Sequence, residues 1–174
     1  MLLKNLETEK IIEFASHQGE GWGTPNYLEI ADHNLSEAKS QKIVEMKRTR
    51  DLNNILPVSD QKAFVIDSEG SVSSREEFFV FYADRHAFNP AADPTAILTS
   101  VLVRQQPIHY SSTTLSGERI VVSLTTLVAM SIVNHLGIRN DTNYRLYNAI
   151  EAAISSCKSV EEVNAISWNV SYLE

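Results

Sequence analysis

The sequence predicts an α+β fold: a helix-rich single globular unit with a small antiparallel sheet and a C-terminal helical module. Three observations predict it. Polar caps stand three residues ahead of a glutamate before apolar runs, as at Ser159 and Glu162. Short aromatic and β-branched segments flank turn sequences, as in "KAFVID" before "SEGS". The 174 residues are 43% hydrophobic and 21% charged, which suits a chain with a real core and argues against wholesale disorder.

The elements follow in order. Ile11, Ile12, Phe14 and Ala15 form a stripe, and the spacing predicts a helix over 5–18. "GEGWGTP" breaks it. Asn26 with Glu29 predicts a short helix through Ala31, and Ser36 is expected to cap a longer one to Asn54, ended by Pro57. "KAFVID" predicts a strand. The next stretch, 76–88, carries two signals. Ser74 and Glu77 form a capping box that favours a helix, whereas "FFVFYA" has the content of a buried strand pairing back on 62–67. The strand is taken. The loop Phe88–Pro94 sets the expected division, with an N-terminal helical and β-hairpin region at 1–90 and a helical module at 91–174.

Asp93 and Pro94 make a cap and first-turn pair for a helix that Pro107 stops. "IHYSSTTLSGERIVVS" predicts two short strands around "LSGE". A helix is expected from Thr125 or Thr126 to Leu136, with Gly137 as its left-handed stop. Asp141 is expected to cap another, with Tyr144, Tyr147, Ile150 and Ile154 near one face. The last helix, Val160 to Ile166, turns Val160, Val163, Ile166 and Trp168 inward. Cys157, the single cysteine, reads as a small buried side chain.

Composition narrows the function classes. A net charge of −7 disfavours general nucleic-acid binding. "MLLKNLETEK" lacks the pattern of a signal peptide, and the longest apolar run is broken by Ser, Thr and Asn. The expected location is therefore a reducing cytoplasm, and no membrane partner is expected. None of the five histidines shares a metal-ligand spacing with another. Glu76 and Glu77 are adjacent and would point to opposite faces of a strand. G-x-S-x-G and the Walker pattern are absent. No catalytic residue, metal or cofactor is assigned.

The binding candidates are Trp22, between glycines, and the basic cluster Lys47, Arg48 and Arg50. For Trp22 a plug under its loop competes with a binding anchor. For the cluster a solvated, ion-paired face competes with phosphate contact. A scattered enzyme site would converge Asp84, His86 and His109.

The C-terminal third carries a resemblance. "ERIVVSLTTLVAMSIVNHLG" and "LYNAIEAAISSCKSVEEVNAISW" are similar to a tail found on bacteriophage and prophage proteins. A "v-x-L-T" lead-in falls on Val122 to Thr125, "I-x-A-A" on Ile150 to Ala153, and "T/S-x-E-E-x-x-A-I-x-W" on Ser159 to Trp168. The resemblance implies a small helical interaction module in proteins associated with phage tails and tail-fibre assembly, and it implies no catalytic residues. The expected function is protein–protein contact in virion tail assembly, with a phage structural or host protein as partner. An inhibitor of a host defence or transcription protein is the alternative, and an enzyme with a scattered site the third reading. Homo-oligomerisation is expected, because "TTLVAMSIV" and "FFVFY" exceed what one small core hides.

Overall fold

The computed structural model describes residues 2–5, 11–13, 27–83 and 93–173, with side chains from Asn34 onward. Among them the fold is α+β, with four α-helices and a four-stranded antiparallel sheet. A second sheet of three short strands stands at the N-terminus. Contacts divide the chain into two units, Met1–Thr49 with Leu146–Glu174, and Arg50–Arg145.

The first unit opens on β1 (Leu2–Asn5), β2 (Ile11–Glu13) and β3 (Tyr27–Glu29), ordered β2-β1-β3 and antiparallel. This corrects the helix expected over 5–18. Ile11 and Ile12 pair with Lys4 and Leu3, and a β-branched pair with a ladder to join overrides a loose helical stripe. It also corrects the short helix expected through Ala31, because Tyr27–Glu29 is a strand paired with β1. The helix α1 (Ile30–Asn54) follows β3 directly, so Ser36 is an interior residue and not a cap.

The core of this unit is Met46, Leu146, Tyr147, Ile150, Ile154 and Ile166. Trp168 and Cys157 pack against it half-buried. Truncating Trp168 should therefore cost less than the roughly 3–5 kcal/mol of a fully buried tryptophan. Lys39 Nζ donates to the Ser155 carbonyl at 2.8 Å, a cation at the negative end of a helix. The short helix α4 (Val160–Ala165) forms as expected. Ser159 Oγ accepts from the Glu162 amide, and the Glu162 carboxylate accepts from the Lys158 amide.

The second unit holds β4 (Val58–Ile66), β5 (Val72–Phe81), α2 (Pro94–Arg104), β6 (Ile108–Thr113) and β7 (Arg119–Leu124). Both expected hairpins form, and the sheet order is β5-β4-β7-β6. The aromatic stretch is a strand: Phe79 and Phe81 pair with Gln61 and Val58 of β4 and are fully buried. The turn Asp67–Ser71 explains why the strand signal prevails over the Ser74–Glu77 box. The Asp67 carboxylate accepts from the amides of Glu69 and Ser71, and Gly70 takes a positive φ of 82°, so the chain is already reversed before Ser74.

The two hairpins also meet along β5 and β6. Ser112 Oγ donates to the Val80 carbonyl, and the hydroxyls of Tyr82 and Thr113 lie 3.0 Å apart. Tyr110 stacks on Phe81 at 5.3 Å between ring centres and meets Phe79 edge-on at 6.2 Å. Burial pushes the Tyr110 hydroxyl pKa up. Leu98 and Val101 of α2 complete the core, together with Ala129 and Ile132 of the next helix. Asp93 caps α2 by accepting from the Thr95 amide at 2.9 Å, with Pro94 in the first turn, as the sequence predicts.

The helix α3 (Thr126–Ser156) runs 31 residues. Thr125 precedes it, with Oγ1 accepting from the Val128 amide. Its length corrects two expectations: Gly137 is not a stop and Asp141 is not a cap. Ala129, Ile132, Leu136, Arg139, Asn143, Leu146, Ile150 and Ile154 recur at steps of three or four, all buried or half-buried. That continuous seam outweighs one glycine, which costs about 1 kcal/mol in a helix interior. A Cβ at Gly137 would meet nothing within 4 Å. Gly137→Ala is therefore expected to raise stability by about 1 kcal/mol, read as a higher urea midpoint at unchanged slope.

Candidate functional site

Exposed apolar residues lie along the side of α3 turned away from its buried seam. Leu127, Met130 and Ile138 are 79%, 56% and 60% exposed. At 3.6 residues per turn these three fall within an arc of roughly 80°. Val133 and Tyr144 extend the arc and are exposed as well. The helix is held from behind by Ala129 and Ile132, both at full burial, so this face is presented on a rigid element. Scattered exposed apolar residues are ordinary on protein surfaces; a run of them along one helix side marks a contact face. Asn134 and Asp141 are exposed on the same stretch of helix and supply a polar component.

The local sequence explains the arrangement. "TTLVAMSIV" is apolar at six of its nine positions, so a helix through it leaves some of those side chains outside whichever way it turns. The other apolar stretch behaves differently. Phe79 and Phe81 are buried, and Phe78, on the opposite side of the strand, is covered by Lys62 Nζ at 4.6 Å from its ring centre.

The candidate residues from the sequence divide. Trp22 lies outside the described residues. So do Asp84 and His86, while His109 is exposed on β6. Lys47 and Arg48 are exposed. Arg50 donates to Asp51 Oδ1 from Nε and Nη2 at 2.9 and 2.6 Å, and its guanidinium lies 4.9 Å from the Tyr144 ring centre. The cluster is thus split by an ion pair and a cation–π contact on one of its members. Glu76 is exposed and Glu77 binds Arg75 at 2.8 Å.

One pair has no counterpart in the sequence reading. His135 Nδ1 lies 3.2 Å from Asp60 Oδ2. The Gln61 side chain bonded to the Asp60 carboxylate, helped by His135, holds that carboxyl below its usual range. The two residues come from α3 and β4, so no spacing signal reveals them. Both are substantially exposed, and a solvent-facing ion pair is the simple reading. Among the described residues no group of three or more His, Cys, Asp or Glu is placed to hold a metal ion.

No family model, curated protein or solved structure matches the chain. No helix among the described residues is long and apolar enough to cross a membrane.

Proposed function

We propose that this chain works by protein–protein contact through the exposed side of α3, in the assembly of a bacteriophage or prophage virion tail. The observation that carries the contact reading is the row Leu127, Met130 and Ile138, exposed on a helix whose other side is buried or half-buried. An apolar row of this kind gains by covering: each large side chain buried at an interface contributes about 1.5–3 kcal/mol before the costs of association. The virion setting comes from the tail-like residues Val122 to Thr125, Ile150 to Ala153 and Ser159 to Trp168. In the structure the first lies at the β7–α3 junction, the second within α3 and the third on α4 and its cap.

The experiment is affinity capture of the tagged chain from bacteria producing the particles. Tail or tail-assembly proteins are expected to co-purify, and the chain is expected in mature or partly assembled particles. Recovery with a single host enzyme, and absence from particles, would replace the assembly setting with inhibition of that enzyme.

A further inference from the structure

We propose that the outward side of α3 is covered by a second copy of this chain, packed antiparallel across a two-fold axis at Asn134. The proposal rests on the reading of that side as a contact face, and it names the occupant. At 3.6 residues per turn, Asn134 and Asp141 fall inside the arc of Leu127, Met130 and Ile138. Asn134 stands four positions from both Met130 and Ile138, and seven from both Leu127 and Asp141. Asn134 and Asp141 are exposed. Neither side chain has a hydrogen-bond or ion-pair partner among the described residues.

A two-fold axis brings together residues equally far from it on either side. Asn134 then meets its own copy. A carboxamide both donates and accepts, so it satisfies itself across the axis, and a single polar residue in an apolar row fixes the register. Met130 lies against Ile138 twice, once on each side of the axis. Asp141 lies beside Leu127 of the other copy. Leu127 is in the first turn of α3, which begins at Thr126, and a helix start carries positive partial charge. A carboxylate is therefore matched to a helix N-terminus, again twice. A parallel pair in register would set Asp141 against Asp141. Charge thus selects the antiparallel arrangement.

The rest of the charge distribution agrees. With a net charge of −7, two copies repel over most approaches. Between 127 and 138 the only titratable side chain is His135, which is half-buried and lies 3.2 Å from Asp60. Two copies meet on this stretch without like-charge contact. The contact is small. Leu127 to Asp141 spans roughly 21 Å of helix, and the row supplies far fewer residues than the 20–30 a side of a standard interface. The dimer is therefore weak, with a dissociation constant on the order of 10–100 µM.

The test is sedimentation equilibrium of the full chain from low to high micromolar concentration. A monomer–dimer equilibrium is expected, lost in Leu127→Glu/Met130→Glu and weakened about threefold or more in Asp141→Lys. A short bis-maleimide reads the register. Asn134→Cys is expected to cross-link to its own copy above the background of the unaltered chain, which carries Cys157 alone. Leu127→Cys is expected to stay at background, because its copies stand at opposite ends of the contact. Both cysteines replace exposed residues, and thermal unfolding checks each variant. The proposal is overturned if the unaltered chain is monomeric throughout, if the dimer survives both glutamates, or if Leu127→Cys cross-links as readily as Asn134→Cys. A monomeric chain that still captures another protein, and loses it with the two glutamates, overturns the second copy and leaves the contact reading standing. A monomeric chain that captures nothing overturns both.

Discussion

Phe79→Ala is expected to destabilise the protein by about 3–5 kcal/mol, and Phe78→Ala by under about 1.5 kcal/mol. The two phenylalanines are neighbours in sequence and identical in chemistry. Their side chains differ by which face of β5 they occupy. Phe79 is fully buried in the core with Val58, Leu98 and Val122, and its ring meets Tyr110 edge-on. Phe78 is 40% exposed, with a lysine over its face. Removing the first leaves a cavity in a packed core; removing the second uncovers a surface already half wet. Urea unfolding of both variants measures the contrast. Equal losses would mean that this stretch does not alternate in and out, contradicting its pairing with β4.

Arg139→Ala carries the second-largest expected loss, about 2–3 kcal/mol. Its guanidinium donates to the Leu56 carbonyl at 2.6 Å and to the Asn54 carbonyl at 2.7 Å, at the place where α1 ends. The last carbonyls of a helix have no partner within it, and the planar fork satisfies that of Asn54 together with the Leu56 carbonyl just past the helix end. Asn143 Nδ2 adds a third contact, to Asn54 Oδ1 at 2.7 Å. Burial lowers the Arg139 pKa and its Nε has no partner, so part of the gain is already offset by desolvation. Arg139→Lys should fall between wild type and alanine, since an ammonium cannot reproduce the fork. A loss below about 0.5 kcal/mol for the alanine variant would mean that water replaces the guanidinium at no cost.

The same two residues explain why part of α3 was hidden in the sequence. Its buried seam turns polar at Arg139 and Asn143 and sits close to Gly137 and Asp141. Read alone, that stretch has a stop followed by a cap. Only the partner carbonyls at the end of α1 make polar seam residues sensible, and they lie more than eighty positions earlier. Where the deciding partner is close in the chain, the sequence was legible. Asp93 and Pro94 announced α2, Ser159 and Glu162 announced α4, and both hairpins followed from their turns. The N-terminal strands were not legible, because Ile11 and Ile12 suit a helix stripe as well as a strand until Leu3 and Lys4 are placed beside them.

The candidate site shows the same division. The excess of apolar residues in "TTLVAMSIV" is visible in the sequence, and so is the expectation that some of them stay uncovered. Which ones remain outside depends on where β7 delivers the chain into α3 at Thr125.

The proposed protein contact is the outward side of α3. The most direct measurement compares what co-purifies with the tagged chain and with its Leu127→Glu/Met130→Glu variant, each checked by thermal unfolding. Both substitutions are at exposed positions of a helix, so the melting temperature is expected to stay nearly unchanged. The variant is expected to lose the partner that the unaltered chain retains, whether a second copy or another protein. A variant that keeps the same partner, or an unaltered chain recovered as a solitary monomer, would contradict it.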